Sequence, residues 1–170
     1  AKLNLENKNL FNVVIVLLEE FIGERVGALG SDLGLTPNFD NLAKEGILFD
    51  HFYSGGTRTN RGVSCTFTSY LPLLGSDIML RTEGQQKMTT LGSILQEKGY
   101  QSIFMYGGDA KFDNMEGFLK SKGIDAVIGQ PDFSLKDNIN KWGVPDHILF
   151  DKFIEKLDNF DKNNKPFFGY

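Results

Sequence analysis

Phe11-Asn12-Val13-Val14-Ile15-Val16-Leu17-Leu18-Glu19-Glu20 sets an apolar run directly against two carboxylates. A run of six apolar residues, Val13 to Leu18, is far short of the roughly 20 that a membrane span needs. It has the length of a strand buried on both faces, which is how strands of a parallel sheet read. In open α/β sheets the ligand site lies beyond the carboxyl ends of the strands, so Glu19 and Glu20 stand where chemistry is usually done. They read equally well as a solvated acidic pair at a strand exit.

Downstream, the same punctuation recurs. Lys44-Glu45-Gly46 leads into Ile47 to Tyr53, Glu97-Lys98-Gly99 into Tyr100 to Tyr106, and Ser121-Lys122-Gly123 into Ile124 to Ile128. Each predicts a helix closed by a glycine in the left-handed cap, followed by a strand. Thr36-Pro37 opens the first of these helices, with Thr as the cap oxygen and Pro at the first helical position. Phe21 to Leu35 and Pro72 to Gln86 read as loops. Further helices are expected over Asn60–Tyr70, from Thr90 to Lys98 behind a Thr89 cap, over Asn114–Lys120 and over Asp146–Phe160, with a last strand at Pro166–Tyr170. Strands alternating with helices predict an α/β fold, a mostly parallel sheet sandwiched by helices.

Between the first two of these strand-like runs and the next helix lies Ser54-Gly-Gly-Thr-Arg-Thr-Asn-Arg-Gly-Val-Ser-Cys-Thr-Phe-Thr-Ser-Tyr-Leu71. Two glycines, interleaved hydroxyls and Arg58 and Arg61 precede a helical run. Helix N-termini expose unpaired N–H groups, and two guanidiniums add bidentate donors, so the stretch suits an anion. An ordinary glycine-rich turn has the same composition.

Composition narrows the function classes. A chain of 170 residues, 41% hydrophobic and 24% charged, can bury a core, and a net charge of −4 without a basic cluster argues against a nucleic-acid partner. The lone Cys65 cannot form an internal disulfide and reads as a small buried residue. Gly107-Gly108-Asp109 places supple backbone and a carboxylate at another strand exit.

Asn12 to Glu19, Thr36-Pro37-Asn38, Glu45-Gly46-Ile47, Gly56-Thr57-Arg58-Thr59-Asn60-Arg61-Gly62, Phe112-Asp113-Asn114, Trp142-Gly143-Val144-Pro145-Asp146 and Lys165-Pro166-Phe167-Phe168 follow one another in order. Together they resemble the extracytoplasmic catalytic domain of lipoteichoic acid synthases and related phosphoglycerol transferases, in the sulfatase branch of the alkaline phosphatase superfamily. The resemblance runs from about Phe11 to Tyr170. It implies that residues 1–170 are the N-terminal part of one such domain, incomplete without a C-terminal part.

The resemblance also implies roles. Glu19 falls on a position that binds a divalent metal ion (Mn, Mg or Zn), with Glu20 where relatives usually carry Ser. Thr59, the second Thr of Gly-Thr-Arg-Thr, falls on the residue that is both metal ligand and nucleophile. Arg61 and Arg58 are candidates for a non-bridging phosphate oxygen, and Trp142 matches a position near the substrate headgroup. The implied reaction moves a phosphoglycerol-type headgroup from a lipid-borne phosphodiester through a phospho-threonine, outside the cytoplasm. The alternatives are a sulfatase- or phosphatase-type hydrolase, or an inactive anion-binding fragment. Cys65 lacks the Pro and Arg of a sulfatase formylglycine motif. His51 and His147 have no ligand partner at sensible spacing and are expected to be non-catalytic.

Overall fold

The computed structural model describes residues 10–72, 74–137, 141–162 and 165–170. Its centre is a four-stranded, all-parallel sheet in the order β1-β4-β2-β3, built from β1 (Val13–Val14), β2 (Gln101–Met105), β3 (Ala126–Ile128) and β4 (Phe167–Gly169). The helices are α1 (Pro37–Glu45), α2 (Thr59–Thr68), the interrupted single turn α3 (Thr82–Gln85), α4 (Leu91–Glu97), α5 (Met115–Ser121) and α6 (Asp146–Asp161). The expected parallel α/β architecture is the one observed.

Strand alternation divides the core into two. Phe104 of β2 and Phe168 of β4 join Val63 and Phe67 of α2, Leu95 of α4 and Met115, Phe118 and Leu119 of α5. On the opposite face Ile103 and Met105 pack with Phe153, Leu149 and Leu157 of α6. Helices therefore cover both faces of β2 and β4, which explains the apolar run Ile103 to Met105 and the paired Phe167 and Phe168.

Punctuation succeeded where glycine was required by the backbone. Gly99 and Gly123 adopt φ of +82° and +93°, the left-handed cap. Gly46 instead has φ −113° and leads into no strand. Residues 47–53, expected as a strand, are irregular apart from a turn at 50–51, and Ile47, Phe49, Phe52 and Tyr53 are exposed. Their apolar pattern supplies β propensity, but no neighbouring strand among the described residues offers the ladder that makes a strand. β1 is shorter than the expected Phe11–Leu18, because β4 gives it only Phe168 and Gly169 as partners, extended by Ile15 N–H donating to Gly169 O at 2.8 Å.

Two caps also differ from expectation. Thr90, not Thr89, caps α4, accepting Ser93 N–H at 3.1 Å while Ser93 Oγ accepts Thr90 N–H at 2.9 Å. Thr36 stands at the N-cap of α1, yet its Oγ1 accepts Gly27 N–H at 2.9 Å and donates to Asp40 at 3.0 Å. The two expected loops contain short 3-10 turns at Gly23–Arg25, Gly27–Leu29 and Ile78–Leu80. The last is tied to α2 by buried Asp77, which accepts Ser64 Oγ–H at 2.9 Å and Met79 N–H at 3.0 Å.

Candidate active site

α2 begins at Thr59, after an N-cap at Arg58 with extended backbone. Its buried face carries Asn60, Val63, Ser64 and Phe67, a helical spacing that presses the helix onto the sheet. The preceding turn lies close along the helix: a Cβ at Gly56 would come within 2.7 Å of Arg61 Cβ, so only glycine fits there. This packing fixes the first turn of α2 above the carboxyl end of the sheet.

The β1 run reaches the same place from below. Val13 and Ile15 face the α2 side of the core, and the Leu17 side chain lies beside Gly62 of α2. Two residues on, Glu19 Oε2 accepts the Thr59 Oγ1–H hydrogen bond at 2.8 Å, across 40 residues of sequence. Glu20 turns away with a left-handed φ of +51°, so of the two acids it is Glu19 that meets Thr59.

The remaining expected residues are placed differently. Arg61 donates from one guanidinium nitrogen to Gly75 O at 3.0 Å, which ties it to the loop after α2 while leaving other donors on the fork. Arg58 is exposed. Trp142 is 79% exposed, with the Lys141 ammonium 5.0 Å from its ring centroid, and belongs to the exit of β2, where the following Val144 N–H donates to Gly107 O at 2.9 Å. Cys65 is free and partly buried. His51 is exposed, 2.9 Å from Asp50, in a turn instead of the expected strand, and His147 lies in the first turn of α6.

Two residues of this region were given no role by the sequence. Asn60 is buried beside Thr59, and its Oδ1 has no hydrogen-bond partner among the described residues. Tyr106 ends the β2 run. Burial pushes its phenol above the ordinary range, and the negative charge of Glu19 pushes it the same way, so the hydroxyl stays protonated and able to donate. An apolar-looking strand hid its polar tip.

Glu19 and Thr59 offer two hard oxygen donors side by side, the chemistry that suits magnesium, manganese or, with other ligands, zinc. Two donors alone are fewer than the six or more oxygens such ions gather. Among the described residues no group of three or more His, Cys, Asp or Glu is placed to hold a metal ion.

Comparison with known proteins agrees with the fold. A sequence model described as sulfatase matches residues 11–170. Phosphoglycerol transferase I of Escherichia coli (strain SMS-3-5 / SECEC) is 28% identical over 144 residues, 78% of this chain and 19% of that protein. The chain thus spans about a fifth of the length of the curated relatives it matches. A crystal structure of an alkaline phosphatase superfamily protein from Vibrio parahaemolyticus superposes with a TM-score of 0.86 at 36% identity, covering 94% of this chain and 39% of that one. The lipoteichoic acid synthase LtaP of Listeria monocytogenes shares the fold, with a TM-score of 0.80 at 24% identity over the same shares.

Proposed function

The chain belongs to the sulfatase family of the alkaline phosphatase superfamily, and from that premise we propose that it carries the nucleophile of a phosphoglycerol-transferase-type enzyme. Residues 1–170 are then the N-terminal part of one catalytic domain, to which a further polypeptide segment adds the remaining metal ligands. One observation carries the reading: the 2.8 Å contact that joins Thr59 Oγ1 to Glu19 Oε2 at the carboxyl end of a parallel sheet. The name of the Escherichia coli relative supports the headgroup assignment.

Thr59 Oγ1 attacks the phosphorus of a lipid-borne phosphodiester. The new O–P bond forms as the bond to the lipid alcohol breaks, which leaves a glycerophosphoryl ester on Thr59 and returns a proton to the departing lipid oxygen. A second hydroxyl, on a growing glycerol-phosphate chain or a glycan, then attacks the same phosphorus and restores Thr59. Glu19 Oε2 holds the Thr59 proton before attack and so aims a lone pair of Oγ1 outward. The start of α2 favours negative charge at Thr59 through its aligned peptide dipoles. A divalent cation held by Glu19 and Thr59 would lower the pKa of the Thr59 hydroxyl and offset charge on the phosphate. Arg61, with Arg58 beside it, holds a non-bridging oxygen, and Trp142 lies against the headgroup.

The resemblance to lipoteichoic acid synthases supports a reaction at the outer face of a membrane, outside the cytoplasm. No helix among the described residues is long and apolar enough to cross one. In the full-length protein, Thr59→Ala should lower headgroup release from phosphatidylglycerol by roughly a thousandfold or more. Mass spectrometry of the wild type after a short incubation should find the glycerophosphoryl mass on the peptide containing Thr59. Retained turnover in the variant would falsify the assignment. Free glycerol phosphate as the product, with no acceptor labelled, would mark a hydrolase instead.

A further inference from the structure

Tyr106 has been given no task, and the sheet itself argues for one. Along β2 the odd positions Ile103 and Met105 face α6, while Phe104 and Tyr106 face α2 together with Phe168, Tyr170 and Val63. Val13 and Ile15 of the β1 run face the same side, Leu17 touches α2, and Glu19 continues that alternation to Thr59. Register fixes the height as well. Val14 pairs with Gly169, which pairs with Ile103, so Tyr106 lies level with Leu17 and Glu19 lies two residues further toward the carboxyl end. With β4 between them, the β1 and β2 backbones run about 10 Å apart. Side chains that reach up from these two strands stand on one face at this end of the sheet.

The ring of Tyr106 is held in place. Its N–H donates to Ile128 O at 3.0 Å, its ring centroid lies 6.5 Å from that of Phe104, and a Cβ at Gly108 would come within 2.7 Å of its Cε1. The turn after β2 is thus cut back to glycine where the ring lies. Tyr100 and Tyr170 each spend their hydroxyl on a carbonyl, Phe11 O at 2.7 Å and Val63 O at 3.3 Å. The Tyr106 hydroxyl makes no hydrogen bond among the described residues. A fixed, half-buried donor without a protein partner among the described residues, on the same face and at the same end as Thr59, is placed for a ligand.

We propose that Tyr106 Oη–H donates a hydrogen bond to a non-bridging oxygen of the phosphodiester that Thr59 attacks. This makes Tyr106 a substrate-binding residue, and it rests on the phosphoglycerol reading above. Because the contact is to phosphate, it selects the anion and not the glycerol.

Calorimetric titration of glycerol 1-phosphate and of inorganic phosphate into the full-length protein, in magnesium-containing buffer, tests it. Tyr106→Phe should weaken both by roughly tenfold, the effect of one hydrogen bond to a charged group. Its melting temperature should equal that of the wild type, since the hydroxyl has no partner to lose. Equal affinity in variant and wild type overturns the role of Tyr106 while leaving the phosphoglycerol reading intact. Loss of glycerol 1-phosphate affinity alone moves the contact to the headgroup and overturns the oxygen assigned here. Absence of binding by the wild type overturns the phosphoglycerol reading, and this proposal with it.

Discussion

Residues 10–53 and residues 60–170 bury their apolar side chains to different degrees. In the first region Val26 is the only buried apolar residue among those described, whereas Phe11, Val14, Val16, Leu18, Ile47, Phe49 and Phe52 are all exposed. In the second, Phe67, Phe118, Phe168, Met79, Met115 and Leu119 are fully buried about one sheet. The candidate site straddles the two. Thr59 is set by the packing of α2, while Glu19 depends on a two-residue strand and on its own hydrogen bond. Thr59 is therefore the pre-formed half of the pair and Glu19 the softer half.

The sharpest way to break this comparison is to truncate one phenylalanine in each region. Phe67 lies between Phe118 and Tyr170, with ring centroids 6.3 and 6.0 Å away. Phe67→Ala should cost about 3–5 kcal/mol in urea denaturation, the transfer term plus the cavity. Phe52→Ala, at a residue 83% exposed, should stay within about 0.5 kcal/mol. Similar losses at both positions would show that residues 10–53 share the core after all.

This contrast also explains what the sequence could disclose. Val13 to Leu18 and the glycines at 99 and 123 are governed by local rules, and they announced a parallel sheet correctly, although Val14, Val16, Leu17 and Leu18 are exposed where burial on both faces was expected. Ile47 to Tyr53 has the composition of a strand, but pairing is a long-range property that composition does not contain. Glu19 and Thr59 were each picked out by motif, while their contact across 40 residues is a product of the fold. Tyr106 had no motif at all, and Asn60 lay inside one without being given a role. One ends an apolar strand and the other follows a conspicuous hydroxyl, and only burial and unspent hydrogen-bonding groups set them apart.

A smaller effect separates the regions by pH. Tyr170 is buried in the packed region; burial, first, and the nearby Cys65 raise its pKa well above the ordinary 10.0, against a lowering by a Thr66 hydrogen bond. In the unfolded chain the phenol ionises near its ordinary value, and in the folded chain it stays neutral. Its contribution is whole below pH 10 and is lost as pH rises through the folded pKa. Melting temperature should therefore fall above pH 10, and less so in Tyr170→Phe. An identical alkaline fall in both proteins would place the titrating group elsewhere.

The least change is expected where polar ties stand in for a core. Asp40 Oδ1 accepts Ala28 N–H at 2.7 Å and the Thr36 hydroxyl at 3.0 Å, and through them it fastens α1 to the 27–29 turn. Asp40→Ala removes both bonds from a segment that buries little else, so about 1 kcal/mol of local stability should go. Because such a segment opens without unfolding the sheet, hydrogen exchange should show it before any melting curve does. The Gly27 and Ala28 amides should exchange roughly fivefold faster, while those of β2 keep their protection. Faster exchange in β2 as well would mean that residues 10–53 open together with the core, and Glu19 would then be as firmly placed as Thr59.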